Sequence, residues 1–166
     1  KHTYTLCAGA SSFTDAQKLA DIYRQYGCDT LSLSDSSVLK ERFVPSGIQI
    51  PRFISTLNSP YVLIGTFIAR DEETVHRITH TCREKLVHHS KELEVEKGNT
   101  WPTHKDTIIK ESVRQYAEKK YTIISTFDSI SLPHENYSIC AEKVCLVLDD
   151  LGCDFIVGGN IGSDQF

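Results

Sequence analysis

The sequence has little of what several common functions require. Its six cysteines include no CxxC pair, and no apolar run reaches the roughly 18 residues that a membrane-spanning helix needs. The formal net charge of −4 lacks the concentrated positive field of a nonspecific nucleic-acid binder, although it leaves room for a local basic groove. No signal peptide is recognisable. Because the chain lacks an initiator methionine, we expect it to be a piece of a longer protein.

The composition and the cysteines indicate a globular protein of a reducing compartment. The 166 residues suffice for one ordinary domain or two small ones, and 40% of them are hydrophobic and 24% charged. Four of the six cysteines lie inside or at the edge of apolar runs, which favours small buried hydrophobic side chains over disulfides. We therefore expect a cytoplasmic protein with reduced thiols.

A stretch near the start of the chain returns, altered, near its end. Residues 16–31 align without a gap with residues 141–156, and five of the sixteen positions are identical. In both copies a helical run stops at a glycine, Gly27 or Gly152, which is followed by Cys-Asp and a strand-like segment. The repeat predicts that one helix–strand unit occurs twice.

Hydrophobic periodicity predicts that strands and helices alternate along the chain. Strands are predicted over residues 2–6, 29–35, 61–68, 121–126 and 153–157. Two helices are predicted from a cap at Thr14 or Asp15 to Gly27 and from Glu72 or Glu73 to about Glu94. Two more are predicted from a cap at Thr103 or Asp106 to Lys119 and over residues 137–151. The proline-containing residues 36–60 are predicted to be an inserted loop with a short extended piece at residues 48–54.

The order of these elements resembles a type I KH (K-homology) domain. Residues 22–36 are similar to the second KH helix, its terminal Gly-Cys and the second strand, while the strand carrying Gly65 and the helix from Glu72 are similar to the third strand and the last helix. The resemblance implies an α+β fold of three-stranded antiparallel sheets with helices on one face. It divides the chain into a KH-like domain at residues 1–97, a linker helix at residues 98–119 and a partial or second KH-like domain at residues 120–166.

Both units lack the feature with which KH domains hold nucleic acid. That feature is a GxxG loop, whose bare backbone lets the sugar–phosphate chain approach closely. Counting back from Gly27 places the loop at residues 12–15, and the matching place in the second unit is residues 140–143, yet neither stretch contains a glycine. The carboxylates of Asp15 and Glu142 would repel a phosphate there.

The loss of both loops predicts a non-enzymatic scaffold of RNA regulation that acts mainly through protein contacts. Degenerate tandem KH domains of this kind resemble the Bicaudal-C family of germline RNA regulators. That resemblance implies control of mRNA translation and polyadenylation, with a cytoplasmic poly(A) polymerase as a partner, single-stranded RNA bound weakly or indirectly, no cofactor and no membrane. The residues predicted to contact RNA or a partner are Ser12, Phe13, Thr14, Asp15, Lys18, Lys40 and Arg42. Lys18, Lys40 and Arg42 are scattered along the chain, and Glu41 lies between two of them. This pattern favours ordinary solvent-exposed surface charges over an RNA-binding patch.

Two further patterns carry competing interpretations. His76 and His80 have the i, i+4 spacing of a shared metal site, but there is no HExxH glutamate and a solvated helix face is favoured. The glycine-rich stretch from Gly158 to Gly162 follows a predicted strand, as phosphate-binding loops do. The alternative function is therefore a small α/β enzyme or nucleotide-binding domain. It requires a mainly parallel sheet with this loop at a strand's carboxyl end, whereas a KH unit requires an antiparallel sheet.

Overall fold

A five-stranded antiparallel sheet organises the described part of the chain. The computed structural model describes residues 1–37, 39–40, 52–98, 136–152 and 158–161. In chain order the elements are β1 (His2–Ala10), α1 (Phe13–Gln25), β2 (Thr30–Asp35), α2 (Arg52–Thr56), β3 (Tyr61–Ala69), α3 (Glu72–Leu86), β4 (Leu93–Lys97), α4 (Tyr137–Asp150) and β5 (Gly158–Ile161). The strand order is β4-β1-β3-β2-β5, and every neighbouring pair is antiparallel. The predicted α+β class is confirmed, but residues 2–97 supply four strands rather than three, and β5 adds a fifth.

The last helix of the first unit is shorter than the sequence predicts. α3 begins behind Asp71, whose carboxylate accepts a hydrogen bond from a first-turn amide at 2.7 Å. It ends at Leu86, so the prediction that it continues to about Glu94 is wrong. The segment beyond it is β4, which pairs with β1 at the edge of the sheet. Its alternating charges suit an edge, where charged side chains discourage pairing with other chains.

α1 and α3 pack on one face of the sheet and bury the main core. Leu6, Leu63 and Phe67 project from the strands into this core. Tyr23 of α1 is fully buried, and its hydroxyl donates a hydrogen bond to the carbonyl oxygen of Leu6 at 2.9 Å. The ring fits because β3 carries Gly65 at this point, where a Cβ atom would lie only 2.5 Å from the Tyr23 ring. The glycine of the third strand is thus the place where α1 meets the sheet.

The inserted segment covers the opposite face of the sheet. Strand residues Cys7, Val62 and Ile64 point away from α1 and α3 and belong to a second buried cluster. The remaining members of that cluster come from the insertion: Leu39, Phe53, Ile54 and Leu57. The two long helices share one face as expected, while the short helix α2 lies on the other. The short extended piece predicted at residues 48–54 is wrong for residues 52–54, which are helical, and residues 48–51 lie outside the described residues. Apolar strand residues on both faces drive this two-sided burial.

Glu92 connects the turn before β3 to the turn before β4. Its carboxylate accepts hydrogen bonds from the backbone amides of Asn58 at 2.6 Å and Ser59 at 2.8 Å, and from the Ser59 hydroxyl. Burial alone would raise the pKa of Glu92, but these hydrogen bonds to the ionised form hold the pKa below its usual value. The carbonyl oxygen of Glu92 also accepts a hydrogen bond from the Gly9 amide of β1 at 2.9 Å.

We expect Glu92→Gln to destabilise the protein at neutral pH and to flatten its stability against pH. A carboxylate whose pKa is lowered by folding contributes stability above its unfolded value of about 4.5, and that contribution is lost as the pH falls through the folded pKa. Urea denaturation should show a loss of about 1–3 kcal/mol at neutral pH that shrinks in acid. Glu94→Gln, at an exposed position of β4, is the control and should change stability by less than about 0.5 kcal/mol. A Glu92→Gln deficit that is equal at both pH values would contradict the role of the ionised carboxylate.

The two repeat copies end their helices in the same way. Gly27 follows α1 with a φ of +70°, and Gly152 follows α4 with a φ of +65°. Glycine adopts this left-handed conformation without the steric penalty that a Cβ atom would bring. The two predicted helices with glycine stops are therefore confirmed. The strand predicted at residues 153–157 lies outside the described residues, as do the helix predicted at 103–119 and the strand predicted at 121–126.

The described parts of the second copy pack against the first. The Ser138 amide of α4 donates a hydrogen bond to the side-chain oxygen of Gln17 at 3.2 Å, and the Thr14 hydroxyl donates one to Glu142 at 3.4 Å. These contacts run in opposite chain directions, so α1 and α4 are antiparallel. β5 in turn pairs antiparallel with β2. Within the described ranges, no helix is both long and apolar enough to span a bilayer.

Candidate nucleic-acid or partner interface

Residues 12–15, where the GxxG loop of a KH domain would lie, form the start of α1. Ser12 is the N-cap: its hydroxyl accepts a hydrogen bond from the Asp15 amide at 3.1 Å, and its carbonyl oxygen accepts one from the Ala16 amide at 2.9 Å. The cap therefore lies two residues before Thr14, the nearer of the two predicted positions. A helix N-terminus can hold a phosphate through its free amides, but here a side chain of the protein already occupies one of them.

The carboxylate of Asp15 lies at the same end of the helix. It accepts a hydrogen bond from the Ser11 hydroxyl, and its Oδ1 atom is 3.8 Å from the Lys18 ammonium nitrogen. The Ser11 hydrogen bond is the main reason that the pKa of Asp15 is lowered, with Ser12 and Lys18 contributing and burial opposing. Glu142 of α4 brings a second carboxylate to Thr14. The surface that would have to receive an RNA phosphate is thus anionic and already hydrogen-bonded.

The other predicted contact residues have different surroundings. Phe13 is only 4% exposed, and its ring lies 4.5 Å from the ring of Tyr61, so it serves the core rather than presenting a stacking surface. Lys40 is half-buried, and its ammonium donates a hydrogen bond to the Leu57 carbonyl oxygen of the insertion at 2.6 Å. Arg42 lies outside the described residues. The structure therefore groups Ser12, Thr14, Asp15 and Lys18 at the start of α1, while Lys40 contacts the insertion.

The two histidines of α3 lie on an exposed aromatic strip. The rings of His76 and His80 are stacked 6.0 Å apart, and Tyr4 of β1 meets His76 edge-on at 5.8 Å. His80 lies 3.6 Å from the carboxylate of Glu84. Among the residues that the structure describes, no group of three or more His, Cys, Asp or Glu side chains could hold a metal ion. The placement matches the interpretation as a solvated helix face.

The glycine-rich stretch near the chain end has a different backbone from a phosphate-binding loop. Residues Gly158–Ile161 form β5, and their partner strand is β2; Gly162 lies outside the described residues. None of the four described strand pairs is parallel. The structural requirement of the nucleotide-binding alternative, a mainly parallel sheet with a glycine loop at a strand end, is therefore not met in the described part of the chain.

Two features of this region are not predicted from the sequence. Ser11, which holds the Asp15 carboxylate, is a serine before the cap and has no recognisable signature. The exposed apolar side of α4, formed by Val144, Val147 and Leu151, is visible in the sequence as residues spaced by three and four positions after Cys140. Helices that bury one face against a core have the same spacing. The sequence therefore cannot tell whether these side chains are buried or exposed, and only the structure shows that they are exposed.

No protein-family model matches the chain, and no curated protein sequence matches it. The capped, anionic start of α1 and the order of the strands beneath it are therefore the features that bear on function.

Proposed function

We propose that the chain is a non-enzymatic scaffold of RNA regulation, built from degenerate KH-like units, that acts in mRNA translation and polyadenylation control mainly through protein contacts. The observation that carries this proposal is that the N-terminus of α1 is already capped by a side chain and carries a carboxylate. A KH domain grips the RNA backbone there through bare main chain, whereas here Ser12 caps the helix and Asp15 supplies a carboxylate. A KH-like frame is supported by the antiparallel order β1-β3-β2 and by α1 and α3 sharing one face.

The charges at the start of α1 oppose an RNA backbone. A phosphate arriving there would meet the carboxylates of Asp15 and Glu142, and the ammonium of Lys18 is already 3.8 Å from the Asp15 carboxylate. Groups in direct contact lie well within the Debye length of about 8 Å at physiological salt, so screening does not remove this repulsion. RNA contact at this site is therefore weak.

We expect the chain to bind mixed-sequence single-stranded RNA no more tightly than ordinary nonspecific binding, with a Kd above about 1 µM at physiological salt. Fluorescence anisotropy with end-labelled oligonucleotides measures this directly. A submicromolar Kd would overturn the claim that the loop sites are inactive.

Matched charge variants test whether the start of α1 is responsible. Asp15→Asn combined with Glu142→Gln removes both carboxylates, and we expect residual RNA binding to tighten about threefold or more. Glu73→Gln combined with Glu94→Gln makes the same change in net charge at exposed positions of α3 and β4. Equal tightening in both pairs would mean that net charge alone matters and that this site has no special relation to RNA.

The protein partner implied by the family resemblance is a cytoplasmic poly(A) polymerase. Isothermal titration of the chain with such an enzyme, followed by an assay of poly(A) addition, tests this part separately. A Kd below about 10 µM together with a change in polymerase rate would support the partner. No heat of binding and no change in rate would exclude it, while the RNA result would stand independently.

A further inference from the structure

α4 carries an exposed apolar surface that the sheet does not use. The described residues include seven exposed large hydrophobic side chains, and five of them belong to α4 or its C-cap: Ile139, Val144, Leu146, Val147 and Leu151. Val144 is 52% exposed and Val147 is 57% exposed. Exposed apolar patches of this kind mark interaction surfaces.

Three of the exposed side chains, Val144, Val147 and Leu151, follow the spacing of a coiled-coil seam, and the half-buried Cys140 continues it. Ile139 and Leu146 lie on another side of the helix. Cys140, Val144, Val147 and Leu151 are separated by four, three and four positions, so they occupy alternating d and a places of a heptad. Ser138 and Glu142 of the same helix contact α1. At about 100° per residue, the seam lies about 170° around the helix from the side that faces α1. The seam can therefore receive another helix while α4 stays on α1.

The seam is complementary to itself when the second helix runs in the opposite direction. In an antiparallel pair of identical helices, Val144 of one copy forms a layer with Val147 of the other. In an antiparallel pair with a fixed register, the residue numbers of any two facing positions have the same sum. That sum is 291 for Val144 with Val147 and also for Cys140 with Leu151, so both layers form in one register. The same register brings the exposed Lys143 opposite Asp150 of the second copy, and does so twice. A parallel pair would instead leave these charges opposite apolar residues.

We propose that a second copy of this chain is the occupant of this surface, and that the two α4 helices pair antiparallel about a two-fold axis. A two-fold contact uses the same patch on both molecules, which is what the two equal layers and the two equal ion pairs provide. The helix is only about 21 Å long, so the contact falls below the roughly 1,200–2,000 Å² of standard-size specific interfaces. The resulting dimer is reversible, with a Kd in the micromolar range.

Sedimentation velocity of the 166-residue chain from about 1 to 300 µM measures this equilibrium. Reducing conditions exclude disulfides through Cys140. Val147→Glu places a carboxylate in both central layers, and we expect the Kd to rise at least about tenfold. Because Val147 is 57% exposed, the urea midpoint of the monomer should stay unchanged.

Charge exchange at the flanking positions is the sharper test. Lys143→Asp and Asp150→Lys each place like charges opposite one another in both ion pairs, and each should raise the Kd about five- to tenfold. The double variant restores opposite charges and should return the Kd to within about twofold of the original. A chain that stays monomeric throughout, a dimer indifferent to Val147→Glu, or a double variant no better than its parents would overturn the proposal. A lower urea midpoint of Val147→Glu, measured well below the dimer Kd where both proteins are monomeric, would also overturn it, since the surface would then be covered by the chain itself.

Discussion

Gly65→Val is expected to leave the chain largely unfolded, and Gly65→Ala to cost about 1–3 kcal/mol. A Cβ atom at this position would lie 2.5 Å and 2.6 Å from two ring carbons of Tyr23 and 3.0 Å from the sulfur of Cys28. The Tyr23 ring cannot retreat, because it is fully buried and hydrogen-bonded to the Leu6 carbonyl oxygen. The Cys28 thiol is also held, by carbonyl oxygens on β2 and β3 at 3.0 Å and 3.4 Å. α1 must therefore move off the sheet.

Coupling to Tyr23 is the decisive measurement for this effect. Urea denaturation of Gly65→Ala should be compared in the presence and absence of Tyr23→Leu, which removes the ring atoms that the new methyl group meets. The two changes together should cost at least about 1 kcal/mol less than the sum of the single changes. Ile68→Thr, at a 39% exposed position of the same strand, is the control and should stay within about 0.5 kcal/mol. Strict additivity would contradict the proposed steric conflict.

Phe53→Ala is expected to open the insertion side of the sheet while the helix side stays closed. Phe53 is 8% exposed and packs in the cluster that contains Cys7, Val62 and Ile64. Truncating a buried phenylalanine costs about 3–5 kcal/mol. Because α1 and α3 are packed on the other face, the insertion can detach as a local opening without disrupting their core.

Two buried thiols report separately on the two faces. Cys7 faces the insertion, whereas Cys82 of α3 is fully buried in the helix-side core. Burial raises the pKa of both thiols, that of Cys82 to about 12, so neither reacts readily while covered. In Phe53→Ala we expect labelling of Cys7 by a thiol reagent to accelerate about 100-fold or more, since about 1.4 kcal/mol corresponds to a factor of ten. Mass spectrometry should locate the label. Equal acceleration at both cysteines would show that the two faces open together, and Phe53→Leu should be intermediate.

The features of the fold that the sequence predicts well are those set by neighbouring residues. The helical stripe of α1 and the stop at Gly27 depend on residues within one turn, and their repetition before Gly152 makes the second helix predictable as well. The strand around Gly65 is a continuous apolar run and is equally clear. The start of α1 lacks glycine and contains Asp15, so the absence of a GxxG loop and the presence of a carboxylate at the candidate site are also predicted from the sequence.

The features that the sequence misses depend on partners far along the chain. β1 is predicted to stop at Leu6, because alanine and glycine at positions 8–10 have little strand propensity. It continues to Ala10 because nine-residue β3 offers a hydrogen-bonding partner along its whole length. The burial of the second face of the sheet by insertion residues likewise depends on contacts between residues that are distant in the chain. At the candidate site, Glu142 reaches Thr14 across 128 positions, which no local pattern records.

The pairing of β2 with β5 has a consequence for folding during synthesis of the chain. Leu31 lies opposite Ile161 and Ser34 opposite Gly158, so the paired residues are 130 and 124 positions apart. While the chain is being synthesised, β2 can join β3 long before β5 exists, and its outer edge is then an unpaired template for other strands. Closing so long a loop is also slow. The last strand therefore governs the yield of correctly folded molecules more than the stability of those that have finished folding.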